Sequence, residues 1–319
     1  MSMLRRLELE ITTRCNARCS VCPRFSGAET NANLGQHDLD PNVLAQHITD
    51  STWQGIKLIR LKGTVGDCLF HPRLDDMLDL LWQQGATVAM DTNGNARSTG
   101  WWQSLAHRWG DRLHVAFCLD GVDPDTHQRY RGTSWQRVTD NARHFIDAGG
   151  HATWFFIVFR HNEHQLAQAT ETARDWGFRV FESISSERYD ELDASCQSPV
   201  LAQRSQRLVF DLGQDSYIFA HSNAVATCPN INNGERYIAA DGQVWPCCFY
   251  GSSNLTADQR FWSYYLKRQL GNDASRLNIN ARPLQEIMDD PVWAWWAETV
   301  ARGTNNKCNT YCGERITWS

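Results

Sequence analysis

Short apolar runs and amphipathic stretches take turns along the first 182 residues of the chain. Leu7–Thr12 (LELEIT) alternates apolar and polar positions and predicts a strand. Asp38–Thr52 predicts a helix, with Asp40 as N-cap and Pro41 at the first helical position. Ile56–Leu61 predicts a second strand, and Pro72–Trp82 a helix with Leu74, Met77, Leu78 and Leu81 on one face. Thr87–Met90 is a third strand, followed by a helix around Gly100–Arg108 and a fourth strand at Leu113–Leu119. A helix at 135–148, a strand at Thr153–Phe159, a helix at 163–176 and a strand at Phe178–Glu182 complete the series. Strand and helix thus repeat about six times, which predicts an α/β fold with a parallel sheet and crossover helices. In a curled sheet of this kind chemistry gathers at the carboxyl ends of the strands. The segments rich in Gly, Asp, Asn and Cys fall there: Lys62–Asp67, Asp91–Gly94 and Asp120–Gly121.

The alternation stops near Ser183. Residues 184–222 are polar and irregular, apart from a strand-like run at Leu208–Leu212. A hairpin-like passage, RYIAADGQVWPCC, turns at Asp241–Gly242. Phe261–Leu270 and Leu284–Arg302 read as helices. Cys228, Cys247, Cys248, Cys308 and Cys312 all lie in this last part, which suggests a separate metal-bearing module. The expected division is a core at 1–190, a connecting segment at 191–227 and a cysteine-rich domain at 228–319.

Composition narrows the classes. A chain of 319 residues can bury an ample core. The net charge of −5, without a basic run, gives no sign of a nucleic-acid partner. No apolar run approaches a membrane span, and the first residues lack a signal-peptide pattern. Eleven cysteines without such a signal point to metal or redox chemistry in a reducing cytoplasm rather than to disulfides. Fourteen tryptophans, some paired (Trp101–Trp102, Trp295–Trp296), read as large apolar packing.

The sharpest chemical signal is Ile11–Arg24, ITTRCNARCSVCPR, with Cys15, Cys19 and Cys22 spaced C-x3-C-x2-C directly after the first strand. A structural zinc site takes four protein ligands. Three thiolates suit a [4Fe–4S] cluster with one iron left open. A zinc loop completed by a distant residue, or three unrelated core cysteines, are the alternatives.

This loop resembles the cluster loop of the radical S-adenosylmethionine (SAM) enzymes. The resemblance implies a partial (β/α)6 TIM-like barrel, a catalytic [4Fe–4S] cluster on Cys15, Cys19 and Cys22, and S-adenosylmethionine on the open iron. It further implies reductive cleavage of S-adenosylmethionine to a 5′-deoxyadenosyl radical, which abstracts a hydrogen atom from the substrate, and an electron donor such as flavodoxin or ferredoxin. Gly63-Thr64-Val65-Gly66-Asp67 resembles the family's glycine-rich turn for the methionyl amino group, with Asp67 where glutamate is commoner. Asn93 in Thr92-Asn93-Gly94, and Asp120 with His127 and Arg131, look like cofactor-lining segments. Each alone is ordinary turn chemistry; their order at successive strand ends carries the likeness. Val21 departs from the pattern, since an aromatic residue often stands there against the adenine.

Cys228-x13-Gly242-x4-Cys247 resembles the opening of the SPASM and twitch extensions of these enzymes. The full SPASM pattern needs more cysteines than this chain supplies. A twitch-like domain with one auxiliary [4Fe–4S] cluster on Cys228, Cys247 (or Cys248), Cys308 and Cys312 is therefore the implied arrangement, with a zinc site on the same thiolates as its rival. Cys118 and Cys68 read as buried small hydrophobes, and Cys196 has no assigned role. His71 reads equally as a helix cap, and His161 and His164 as a solvated helix start.

The resemblance implies a polar small-molecule or peptide substrate. The first strand begins near Leu7, so no fused leader-binding domain is expected; this favours a small molecule or a free-standing peptide. A side-chain maturase acting with a separate leader-binding partner is the near alternative. A non-catalytic iron–sulfur or zinc module, and a thiol oxidoreductase using Cys19 and Cys22, are the more distant ones.

Overall fold

The computed structural model describes residues 4–26, 29–185, 190, 193–200, 206–210, 228, 230, 234–253, 270–271, 273–302 and 308. The expected helix at Phe261–Leu270 lies outside them except for its last residue, as does Cys312.

Nine described strands form one sheet in the order β11-β10-β1-β4-β5-β6-β7-β8-β9. They are β1 (Arg6–Leu9), β4 (Leu58–Leu61), β5 (Thr87–Thr92), β6 (Leu113–Cys118), β7 (His151–Val158), β8 (Val180–Ser185), β9 (Gln206–Val209), β10 (Glu235–Ile238) and β11 (Val244–Trp245). A two-stranded ribbon of β2 (Phe25–Ser26) and β3 (Glu29–Thr30) stands apart. From β1 to β8 every pairing is parallel, as the strand–helix repeat requires. The edge strands β9 and β11 pair antiparallel.

One finding was not legible in the sequence: β10 joins the main sheet in parallel beside β1, with Glu8 opposite Tyr237. The C-terminal hairpin thus extends the barrel sheet. Its turn forms at Asp241–Gly242, where Gly242 has φ +83°, a value that glycine adopts without steric cost.

The helices are α1 (Pro41–His47), α2 (Asp50–Gly55), α3 (Leu74–Gln83), α4 (Thr99–Trp109), α5 (Pro124–Arg131), α6 (Trp135–Asp147), α7 (Leu166–Asp175), α8 (Cys248–Ser253), α9 (Leu284–Met288) and α10 (Val292–Ala301). Asp40 caps α1 by accepting from Asn42 N at 2.8 Å, with Pro41 behind it. The single helix expected over Asp38–Thr52 is two: Ile48 is extended, and Thr49 starts α2 by accepting from Thr52 N. The expected helix at Leu284–Arg302 is likewise broken, at Asp289-Asp290-Pro291, because proline cannot continue a helix. Helix α5 was not expected, although Asp123 caps it and Pro124 opens it in the usual way.

The two faces of the sheet differ sharply. Leu9, Leu61, Met90, Phe117, Trp154 and Phe156 are completely buried on the helix-covered face. Trp102, Trp109, Trp154 and Trp296 are among the largest fully buried side chains, in keeping with packing roles. The opposite face carries Glu8, Arg60, Lys62, Asp91, Glu182, Arg207 and Glu235, placed together by the strand registers. Arg60 of β4 interacts electrostatically with Glu182 of β8. These strands stand four places apart, about 19 Å in a flat sheet. The sheet is therefore curled, with the charged face on the inside.

Candidate active site

The cysteine loop is held from both sides. Toward its start, Thr13 N donates to His37 O (3.0 Å), Thr12 Oγ1 to Asp38 Oδ1 (2.6 Å) and Arg14 Nη2 to Asp38 Oδ2 (2.8 Å). Toward its end, Arg18 N donates to Arg131 O and Ser20 N to Tyr130 O, both at 3.3 Å. Those two oxygens belong to the last turn of α5, whose carbonyls have no partner inside the helix. Cys19 is buried and Cys15 and Cys22 half-buried, in a small cluster with Ala17, Tyr130, Phe159 and Cys196. Burial, with the negative charge of Asp67 nearby, pushes the Cys15 thiol up to about 12, and burial raises Cys19 as well. Binding of a metal centre there must displace these protons. Asn93 Nδ2 donates to Cys15 Sγ (3.5 Å) and to Asn16 Oδ1 (3.1 Å), bringing the end of β5 onto the loop.

The glycine turn is built around two buried acids. Glu10, just past β1, accepts from Val65 N (2.6 Å), Gly66 N (3.0 Å) and the Tyr237 hydroxyl. Asp67 accepts from Leu69 N (3.0 Å), Asn93 N (2.7 Å) and Thr92 Oγ1 (2.9 Å). Burial raises both carboxyls and these donors counter it. The Asp67 carboxylate is thus engaged within the protein, tying the turn to Thr92–Asn93. Gly66 packs directly on the cysteine loop: a Cβ there would stand 1.8 Å from Thr12 O, and one on Gly63 would stand 2.3 Å from Gly66 O. Sequence reasoning missed Glu10. Its signal was an acid in phase with Glu8 on a strand whose other positions are apolar.

Asp120 and Arg131 pair with each other. Asp120 is completely buried, accepts from Ile157 N at 2.6 Å, and forms an ion pair with Arg131 Nε. His127 is also completely buried. Its Nδ1 accepts from Asp120 N (3.2 Å) and its Nε2 meets Thr133 Oγ1 (2.8 Å). Burial, followed by the Arg131 charge, lowers it to about 3 and keeps the ring neutral. These side chains brace the strand end behind the cluster loop.

The C-terminal cysteines divide into two environments. Cys247 interacts electrostatically with the adjacent Cys248 and also with Cys228 and Cys308, and Tyr250 Oη meets Cys308 Sγ at 3.9 Å. Cys248 instead interacts with Lys62, Glu8 and Glu235 of the concave face. Cys118 is buried and Cys68 Sγ faces Asp91 O at 3.9 Å. His71 joins Leu39 O to Arg73 N, as a cap of the following segment. Among the described residues no group of three or more His, Cys, Asp or Glu side chains is spaced to hold a single metal ion. A cubane places each thiolate on a different iron, so its three ligands stand farther apart than those of one ion.

A curled parallel sheet, a three-cysteine loop after its first strand and a glycine turn after its second define a cluster-bearing α/β barrel. The chain belongs to the radical SAM superfamily, whose family model matches residues 9–173. That family uses a [4Fe–4S] cluster and S-adenosylmethionine. The chain is 25% identical over 175 residues to the antilisterial bacteriocin subtilosin biosynthesis protein AlbA of Bacillus subtilis, a match covering 54% of this chain and 37% of that protein. It is 20% identical over 322 residues to the tungsten-containing aldehyde ferredoxin oxidoreductase cofactor-modifying protein of Pyrococcus furiosus, covering 91% of this chain and 82% of that one. Among solved structures it resembles native anSMEcpe with bound AdoMet and Cp18Cys peptide, with a TM-score of 0.57 and 12% identity over 98% of this chain and 88% of that one. It also resembles Streptococcus suis SuiB bound to precursor peptide SuiA, with a TM-score of 0.56 and 12% identity over 80% of this chain and 62% of that one. The chain therefore spans well under two thirds of AlbA and slightly under two thirds of SuiB. No described helix is long and apolar enough to cross a membrane.

Proposed function

We propose that this chain is a radical SAM maturase that removes a hydrogen atom from a peptide substrate. The observation that carries the reading is the cysteine loop, clamped between Asp38 and the last turn of α5 and overlaid by Asn93. Its three thiols fit a cluster: they lie on one loop, half-buried or buried, in one small cluster of side chains. Cys15, Cys19 and Cys22 would hold it, and the turn Gly63–Gly66 with Asn93 would receive S-adenosylmethionine. Together these cofactors supply the one-electron chemistry that yields a hydrogen-abstracting 5′-deoxyadenosyl radical. The protein's own work is to hold the loop, fix the turn through Glu10 and Asp67, and present substrate from the concave face.

A peptide substrate is supported by the bacteriocin-related name of AlbA and by the peptides bound to SuiB and anSMEcpe. A polar small molecule is the second reading, favoured by the cofactor-modifying relative whose match covers nearly the whole chain. A second [4Fe–4S] cluster on Cys228, Cys247 and Cys308, with Cys312 as a fourth ligand, completes the proposal. An electron donor such as flavodoxin or ferredoxin would reduce the protein. The test is iron and sulfide per chain after anaerobic reconstitution, with 5′-deoxyadenosine measured under a chemical reductant. About eight irons are expected, falling to about four in the Cys15/Cys19/Cys22→Ala variant, with 5′-deoxyadenosine lost. Absence of iron from both proteins would refute the reading.

A further inference from the structure

Closed β/α barrels usually fill their interior with branched apolar side chains in layers. The concave face here is charged instead. Lys62 Nζ lies 3.5 Å from Glu8 Oε1, Arg60 Nε 3.2 Å from Asp91 Oδ2, and Arg207 Nη1 2.6 Å from Glu182 Oε2. Beside these pairs the neighbouring positions are small: Ala89 stands directly across from Arg60, and Ala116 directly across from Asp91. The space in front of the Arg60–Asp91 pair is therefore not filled by the adjacent strands.

Arg60 and Glu235 on this face have unused bonding capacity. Arg60 spends only Nε on Asp91, and its side chain remains about a third exposed at 32%. Among the described residues its two terminal nitrogens have no hydrogen-bond partner, so the forked end that matches a carboxylate is open. Lys62, just past the end of β4 on the same face and immediately before the glycine turn, meets Glu8 at 3.5 Å and also interacts with Cys248. Glu235, on β10 directly across from Arg6, makes no ion pair or side-chain hydrogen bond among the described residues, and its charged neighbours are Glu8, Arg6, Lys62 and Arg60. An open cationic fork and an unpaired acid on one concave wall are complementary to a ligand of mixed charge.

We propose that the concave face binds a substrate segment carrying both a carboxylate and a cationic group, the carboxylate on Arg60 and Lys62 and the cation on Glu235. This deepens the proposed function and rests on it, since the concave face is where that function presents substrate. The matching chemistry has two sources. One is a peptide with acidic and basic side chains. The other is the methionyl end of S-adenosylmethionine, which itself carries an amino and a carboxylate group. The position of the charges along β4 and β10, before the glycine turn rather than on it, favours the peptide.

The experiment uses four blocked peptides of one length, with Glu–Lys, Gln–Lys, Glu–norleucine or Gln–norleucine at the centre. Each is titrated calorimetrically into the reconstituted protein with S-adenosylmethionine present. The Glu–Lys peptide is expected to bind at least tenfold more tightly than Gln–norleucine. Arg60→Gln combined with Asp91→Asn, which removes both charges of the pair together, should erase the preference for Glu over Gln. Glu235→Gln should erase the preference for Lys over norleucine. In both variants S-adenosylmethionine affinity, read by equilibrium dialysis, should change by less than about threefold. Absence of charge discrimination in the wild type overturns the inference and leaves the proposed function standing. Loss of S-adenosylmethionine affinity in step with peptide affinity also overturns it, assigning these charges to the cofactor. A wild type that neither holds iron nor binds S-adenosylmethionine refutes the function, and the peptide titrations still decide the concave face on their own. Circular dichroism on each variant separates lost binding from lost folding.

Discussion

The hydroxyl of Tyr237 donates to the carboxylate of Glu10, joining the last parallel strand of the sheet to the turn after its second strand. Through Glu10, a residue of the cysteine-rich C-terminal region helps to fix the N–H groups of Val65 and Gly66. Tyr237→Phe keeps the ring's packing and removes the one side-chain donor to a buried carboxylate that also accepts from the turn's backbone N–H groups. Loss of such a bond costs about 1–3 kcal/mol. Melting should fall by a few degrees, and S-adenosylmethionine should bind several-fold more weakly in equilibrium dialysis. Unchanged affinity would show that the turn keeps its shape without the tyrosine.

Gly66→Ala tests close approach rather than backbone freedom. The added methyl would stand 1.8 Å from Thr12 O and 3.1 Å from Thr13 Cα, both backbone atoms just before the cysteine loop. Neither can rotate away, so the turn and the loop must separate. The variant should take up less iron on reconstitution and lose S-adenosylmethionine binding, whereas Gly100→Ala, where nothing lies within 4 Å of the added Cβ, should retain both.

The parallel sheet was legible because its strands are short apolar runs bounded by Gly, Asp and Asn, and because each is followed by an amphipathic helix. The cysteine loop was legible from spacing alone. What sequence could not give was pairing between distant segments. Nothing in ERYI announces that β10 lies beside β1, because a strand's partner is set by three-dimensional packing and not by local pattern. For the same reason Asp67 and Asp120 were legible as polar residues at strand ends and Arg131 as a basic residue before a glycine, whereas their engagement with Asn93, Ile157 and one another emerged only from the fold. Helix α5 was overlooked because its eight residues, PDTHQRYR, bury polar groups and lack an apolar stripe.

His127 gives the fold a defined acid sensitivity. Its native pKa is lowered to about 3 by burial and by the Arg131 charge, against an ordinary value near 6.5. Between those values the unfolded chain binds the proton and the native chain does not. Stability is therefore full above pH 6.5 and falls as the pH drops toward 3, by at most about 1.4 kcal/mol per pH unit. His127→Asn, which cannot titrate, should show a shallower fall in denaturant midpoint between pH 7 and pH 5 than the wild type. Equal slopes would assign the acid sensitivity to other groups.

Arg131 and Asp120 offer a test of a buried ion pair. Arg131→Met leaves Asp120, completely buried, with only the Ile157 N–H and no opposite charge. Breaking such a pair on one side costs about 3–5 kcal/mol. Chemical denaturation should show that loss. The double variant Arg131→Met with Asp120→Asn should recover part of it, because the uncompensated charge is gone. Failure of the second change to help would mean that the lost side-chain packing of Arg131, and not the uncompensated charge, carries the effect.

Cys247 and Cys248 are neighbours in sequence with different surroundings, and iron content separates them. Cys247 interacts with Cys228 and Cys308, whereas Cys248 interacts with Lys62 and Glu8 on the concave face. Burial pushes the Cys248 thiol up to about 12, with Lys62 acting against it. If the auxiliary cluster belongs to the first group, Cys247→Ser should lower reconstituted iron from about eight to about four per chain. Cys248→Ser should keep about eight, since serine preserves a hydroxyl beside Lys62 without touching the cluster ligands. Iron lost from Cys248→Ser and retained in Cys247→Ser would exchange the two assignments and move the cluster against the charged wall. Zinc in place of the lost iron would turn the C-terminal site into a structural tetrathiolate, for which four thiolates are the usual ligand set.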